Sequence, residues 1–242
     1  MVQRELYSDL RAVPPVFLRL DGRSFHRLSR QREFVRPFDE RFSNAMARVS
    51  ESLIAESGLQ AAFAYTFSDE ISLYIPLLPF GGRVEKMDSV FAAYASSALT
   101  ILLSLVEPVA FDARIIAVGG EATYAYLVQR QQEAWRNHMN AYCQHALITE
   151  GMSSSEAAEA LRDLASEKLH EMMFAREINL AKTPSWQRRG VLVLKTEEER
   201  KGYNPLSGEV VTTARTRLVQ DRDLPLFSSP EGKAYLHSLI EA

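Results

Sequence analysis

"AAFAYTFSDEISLYI" (residues 61–75) holds two apolar, β-prone runs with only Ser68-Asp69-Glu70 between them. Such a short polar break predicts a tight hairpin. It also sets two adjacent acids between strongly apolar strands, where like charges repel unless something positive sits beside them. Ordinary solvated turn acids are the alternative.

Upstream, "VFLRLDGRSFHRLSR" (16–30) is an apolar run ending on Asp21-Gly22 and turning basic. Residues 16–20 read as a strand. Asp39 or Ser43 can cap a helix reaching about Glu56, with Phe42, Met46, Val49, Leu53 and Ile54 on one face and Gly58 as its stop. Downstream, an uncharged helix covers about 84–105 and a strand covers 111–118. A long helix spans 121–149, and a further helix or helix pair spans 153–174, capped by Ser153 or Ser155. Residues 188–196 and 209–219 read as a hairpin whose turn carries Gly202, Asn204-Pro205 and Gly208. A short helix follows Pro230. The order β-α-β-β-α-β, then helices, then a C-terminal β-hairpin predicts an α+β fold with an antiparallel sheet and packed helices. No linker or repeat divides the chain, so one domain is expected over 1–242. Its core would take about 1–150, with a helical and hairpin extension over about 151–242.

The 242 residues carry a net charge of −3, so nucleic-acid binding would have to come from local patches. Residues 19–36 are one: Arg19, Arg23, Arg27, Arg30, Arg32 and Arg36 against Asp21 and Glu33. The single Cys143 excludes an internal disulfide framework and fits a reducing compartment. The N-terminus has no apolar core, so no signal peptide is expected. Eighteen uncharged residues, "SVFAAYASSALTILLSLV" (89–106), reach membrane-span length. Their serines and the lack of a basic flank favour a buried helix, and a cytoplasmic protein with no membrane partner is expected.

If the first three strands are neighbours, Asp21 and the hairpin acids converge at one sheet edge. Mg²⁺ is typically held by one or two carboxylates plus substrate phosphates, so two acids from different strands are the minimal set for a two-metal site. Gly22 would let backbone approach an ion without Cβ interference.

"LRLDGRSFHRLS", "FVRPFDER", "AYTFSDEISLYI", "FDARIIAV" and "RQQEAWRN", in this order over about residues 14–195, resemble tRNA-His guanylyltransferase and its 3′–5′ polymerase-like relatives. The resemblance implies a palm-like fold, in agreement with the ferredoxin-like β-α-β-β-α-β order. It implies nucleotide addition to the 5′ end of a tRNA, with GTP and ATP as substrates or activators. By resemblance, Asp21, Asp69 and the Gly22 carbonyl hold two Mg²⁺, and Ser68 and Glu70 flank the second carboxylate, Glu70 with a catalytic part. Arg23, Ser24, Phe25 and His26 lie beside the incoming nucleotide, although core packing explains Phe25 equally well. Arg36 stands where the family usually has Lys, as a triphosphate contact. Asp39 has the same nucleotide role or is a helix cap. Arg83 and Lys86 match triphosphate-binding positions or are solvated surface, and Asn179 matches a family Asn near the active site. Arg27, Arg130 and Asn137 are expected to touch the RNA or its 5′ end.

Asp112 is expected to pair with an Arg. His138, His145 and His170 have no metal-ligand spacing, and Trp135 and Trp186 are expected to pack rather than stack on bases. "WRNHMNA" (135–141) and "KLHEMMF" (168–174) depart from eukaryotic segments associated with tRNA-His recognition. The departure favours the archaeal and bacterial branch, which adds nucleotides against a template and repairs truncated 5′ ends. A homotetramer is expected by the same resemblance. Two other readings are weighed. A nucleotide or diguanylate cyclase shares the palm-like fold, but the chain lacks a Gly-Gly-Asp/Glu-Glu-Phe hairpin. A silent RNA-binding module would need neither Asp21 nor Asp69.

Overall fold

Strands β1 (Val16–Gly22), β2 (Phe63–Phe67), β3 (Glu70–Ile75) and β4 (Phe111–Ala117) form the expected β-α-β-β-α-β unit. They do so in a computed structural model that describes residues 5–203 and 210–241. All neighbours are antiparallel, in the order β4-β1-β3-β2, and β5 (Val191–Tyr203) and β6 (Val210–Asp221) continue the sheet beyond β2. The C-terminal hairpin therefore extends the same sheet. Its strands run longer than the sequence pattern suggested, because alternation fades into "EEER" while pairing continues. The expected turn at Asn204-Pro205 and Gly208 lies outside the described residues.

Register fixes which face each side chain takes. On β1, Val16, Leu18 and Leu20 enter one core with α2 (Glu40–Ala55) and α3 (Val84–Leu102). Phe17 enters a second core, under α4 (Glu121–Thr149) and α8 (Pro230–Ile240). By the two-residue period, Arg19 and Asp21 share the Phe17 face. Asp21 sits opposite Glu70 of β3 and opposite Asp112 of β4. The far half of α4 carries a third cluster, built from Met139, Cys143, Leu147, Leu169 and Met173, against α5 (Ser154–Ala160) and α6 (Ser166–Phe174).

The uncharged stretch 89–106 is the core helix α3 and its exit turn, with Phe91, Ala95 and Leu99 fully buried. Ser96 and Thr100 return their hydroxyls to carbonyls four residues back, and Ser96 also accepts from the Phe111 N–H that starts β4. Among the described residues no helix is long and apolar enough to cross a membrane.

Two helices were not read from the sequence: α1 (Phe25–Gln31) and α7 (Ser185–Arg189). Gly190, at φ 77, ends α7, and a Cβ there would lie 2.7 Å from the Thr66 carbonyl oxygen. Only glycine permits this backbone approach, and it seats α7 against β2. Both helices flank the acidic sheet edge.

Candidate active site

The hairpin turn is Ser68-Asp69, with Ser68 in the left-handed region at φ 49. The Gly22 N–H donates to the Asp69 carbonyl at 3.0 Å, so the end of β1 lies directly beside the turn. A Cβ on Gly22 would come within 2.7 Å of the Phe25 ring, so the residue must be small for α1 to dock there. Burial raises the Asp69 carboxyl above the usual range, and the charge of Asp21 adds to the rise. The Ser68 hydroxyl donates to Asp69 Oδ1 at 3.0 Å and opposes it. Neither Asp21 nor Asp69 has an ion-pair partner among the described residues.

Glu70 behaves differently from its neighbour and corrects its expected place in the turn. It is the first residue of β3 and points beneath the sheet, where Arg130 Nη1 lies 3.2 Å and Arg19 Nε 3.9 Å from its Oε2. Burial raises its pKa, against the pull of both cations. Arg130, expected to touch RNA, is 8% exposed and committed to Glu70, with its guanidinium over the Tyr126 ring. The cations called for beside the paired acids thus exist, and they serve Glu70 alone.

Asp21 and Asp69 form a concentration of negative charge that the described residues leave uncompensated. Among these residues no cluster of three His, Cys, Asp or Glu could hold a metal by itself. Two free carboxylates with the backbone at Gly22 fit Mg²⁺, which completes its shell with water and phosphate oxygens.

A cavity of about 290 Å³ opens beside Asp69, between α1, the loop 34–39, the start of α2, the hairpin turn, α4 and α7. It gathers Phe25, His26, Arg36, Asp39, Ser68, Asp69 and Asn137 from the residues expected in the site. Aromatic rings dominate its walls: Phe25, Phe34, Phe38, Phe42, Phe67 and Trp186. Phe25 fills both of its expected roles, because its buried ring packs on Phe42 and Phe111 and still forms wall. Asp39 takes the cap. Its carboxylate accepts from the Val35 and Arg41 N–H groups, both at 2.7 Å, and from the Arg41 guanidinium, which holds its pKa down at about 2. It shapes the 34–39 loop with little acceptor capacity left for a ligand.

Several expected residues lie elsewhere. Arg23, Ser24 and Arg27 line a separate groove on the other side of α1. Arg83 and Lys86 begin α3, which follows the Ile75 end of β3, so they sit at the opposite end of the sheet from Asp69. Asn179 spends its side chain accepting from the Ala181 N–H and lines a different pocket with Phe174. Asp112 pairs with Arg114 at 3.3 Å, as expected.

Sequence reasoning missed Trp186 and Gln187 as cavity residues, because α7 is five residues long and buries none of them. Trp186 faces Phe38 edge-on at 6.2 Å, and Gln187 Oε1 accepts from the Tyr142 hydroxyl at 2.7 Å. The dipeptide preceding Arg188-Arg189-Gly190 was the only available signal. His138 is fully buried among Phe38, Trp135 and Tyr142, where burial pulls its pKa down to about 3 and keeps it neutral.

Comparison with known proteins bears on the same residues. A family model described as tRNAHis guanylyltransferase matches residues 2–119, which include both free carboxylates and the Phe25–Asp39 wall. The chain is 29% identical over 220 residues to the probable tRNA(His) guanylyltransferase of Mus musculus, covering 84% of this chain and 74% of that protein. It is 27% identical over 226 residues to tRNA(His) guanylyltransferase 1 of Arabidopsis thaliana, covering 89% of this chain. It spans only 40% of that protein's length and 36% of its Arabidopsis paralogue. A bacterial tRNA(His) guanylyltransferase-like protein in complex with ATP superposes with a TM-score of 0.73 at 21% identity, over 97% of this chain and 95% of that one. The Saccharomyces cerevisiae enzyme superposes with a TM-score of 0.66 at 23% identity, over 76% and 88%. These structural likenesses concern the fold.

Proposed function

We propose that this chain, a member of the tRNA-His guanylyltransferase family, adds nucleotides to the 5′ end of tRNA, with GTP and ATP as its nucleotide substrates. The observation that carries this reading is the pair of carboxylates without ion-pair partners, Asp21 and Asp69, on adjoining backbone, with Asp69 lining an aromatic cavity. Six rings are suited to seat a base, and Arg36 and His26 at the same cavity are suited to its phosphates.

Asp21, Asp69 and the Gly22 backbone would hold Mg²⁺, two ions per site by family resemblance. When bound, these ions supply charge neutralisation on the phosphates and activation of the attacking 3′-hydroxyl. The chain's own residues do the positioning. Phe25 and Gly22 fix the β1 end against the hairpin turn. The Asp39–Arg41 pair holds the 34–39 loop that carries Arg36. Glu70, held by Arg130 and Arg19, anchors the strand that presents Asp69. In-line phosphoryl transfer depends chiefly on such placement. Template-directed addition with repair of truncated 5′ ends, a homotetrameric assembly and a cytoplasmic site of action belong to the same proposal. The altered segments 135–141 and 168–174 support the first, and family resemblance supports the other two.

Labelled GTP, Mg²⁺ and tRNA-His lacking its −1 nucleotide provide the test. We expect a product one nucleotide longer at the 5′ end. Asp21→Ala and Asp69→Ala should each lower its rate by about 10³-fold or more while tRNA affinity stays within a small factor. Wild-type rates in either variant would refute the assignment. Label appearing in a cyclic nucleotide without tRNA would redirect it to a cyclase.

A further inference from the structure

The groove on the outer side of α1 is lined by Arg23, Arg27, Arg32, Gln31 and Glu107, with a volume of about 400 Å³. It shares Phe25 with the aromatic cavity, and its inner end, Arg23, follows Gly22 directly. The Arg23 N–H donates to the Ala110 carbonyl at 2.9 Å, which ties the groove's two walls together next to the acidic edge. The two cavities divide their chemistry. One has six aromatic rings and a single Arg. The other has three Arg and one ring, and that ring is already packed on Phe42 and Phe111. Nothing in the groove offers a free π-face to a base, whereas three guanidiniums match a run of phosphates.

One acid stands among these cations. Glu107 Oε2 accepts from Arg27 Nη2 at 2.9 Å and from Gln31 Nε2 at 3.2 Å. Both charged side chains are more than half exposed, at 63% and 58%, so the pair is weakly held and screened by salt. Its carboxylate occupies the place that a phosphate oxygen would take.

We propose that this groove is the track for the phosphate backbone of the substrate RNA's 5′ strand as it leaves the Asp21–Asp69 edge, and that Glu107 competes with the RNA for Arg27. The proposal rests on the reading of the chain as a tRNA 5′-end nucleotidyltransferase, and it adds where the RNA lies and what opposes it. Backbone-only contact suits an enzyme whose substrate supplies its own template strand. Arg27 and Gln31 are released as a phosphate displaces the Glu107 carboxylate, a one-for-one exchange of anions with no bond made or broken.

The test measures tRNA binding by fluorescence anisotropy from 50 to 300 mM salt, with GTP binding measured separately without RNA. Arg27→Ala/Arg32→Ala should weaken tRNA about tenfold or more. It should also flatten the slope of log K against log[salt] by about 0.7–0.9 per lost contact. Glu107→Gln keeps the shape, removes the competing charge, and should tighten tRNA binding several-fold, an effect that loss of structure would not produce. GTP affinity should remain that of the wild type in both variants. An unchanged slope and an unchanged Glu107→Gln affinity, in an enzyme that still extends tRNA, would overturn the groove alone. Loss of GTP affinity in the double variant with tRNA binding intact would reassign the groove to a nucleotide and overturn the RNA track. A wild-type protein that neither binds nor extends tRNA would overturn both this proposal and the activity beneath it.

Discussion

Arg130→Met examines the buried ion pair under the active site. Glu70 and Arg130 are each 8% exposed and 3.2 Å apart, and Arg19 is the one other cation near, at 3.9 Å. Removing one partner of a buried pair costs about 3–5 kcal/mol, because the remaining charge is left without a counterion. Arg19 stays in place, which puts the cost near the lower end, about 3 kcal/mol. For a chain of this size that corresponds to a Tm lowered by about 6–12 °C at pH 8. The loss must shrink with acidity. Burial already raises the Glu70 carboxyl, and losing Arg130 raises it further, so at pH 5 the variant escapes the charge by binding a proton. The gap between wild-type and variant melting curves should therefore widen from pH 5 to pH 8. Glu70→Gln added to Arg130→Met should recover most of the pH 8 loss. A deficit under about 2 °C at pH 8, or one equal at both pH values, would show that the pair is not electrostatically coupled as described.

Two further substitutions address the acidic edge. Burial and Asp21 raise the Asp69 carboxyl, so the folded chain's stability is complete below the unfolded carboxylate's pKa and declines as pH rises through the raised folded value. Asp69→Asn should melt higher than wild type at pH 7 in chelator and converge with it near pH 4, while losing nucleotide addition; a lower Tm at pH 7 would contradict this sign. Gly22→Ala drives a Cβ to 2.7 Å from a ring wedged between Phe42 and Phe111, and should cost about 1–3 kcal/mol in urea unfolding. Phe25→Leu on that background should return part of the loss, and no rescue would place the strain elsewhere.

The sheet was legible because its strands are short, apolar and bounded by turns. The 121–149 helix was read at its observed limits, and α2 within a residue of its end, with Asp39 of its two candidate caps marking the start. Ser153, one of the two caps expected there, caps α5 and exchanges reciprocal bonds with Glu156. What the sequence hid were the partners that only the register supplies. Asp69 and Glu70 look alike as neighbours in one turn, but strand alternation sends Glu70 beneath the sheet to Arg130, sixty residues away. Trp186 was hidden for the complementary reason: a five-residue helix has no period to read, and Gly190 fixes its place by a contact with Thr66 invisible along the chain.

The same limit explains why six arginines in eighteen residues were seen as one patch. Between Arg23 and Arg32 lies α1, seven residues with no capping side chain and only Phe25 and Leu28 buried, which is too little pattern to announce a helix. Yet a helix there is what divides the cations. Its buried i, i+3 pair pins one side to the core, so Arg27 turns outward into the phosphate-lined role proposed for the groove, while Arg36, beyond the helix, returns to the aromatic cavity. Arg19, before it, stays under the sheet with Glu70. Arg19 shares a sheet face with Asp21 but pairs with Glu70, so Asp21 and Asp69 are left without an ion-pair partner among the described residues in a neighbourhood rich in cations. A protein that needed only stability would have paired these acids as it paired Glu70. Their isolation leaves the charge available to a divalent ion, at the stability cost that Asp69→Asn should reveal.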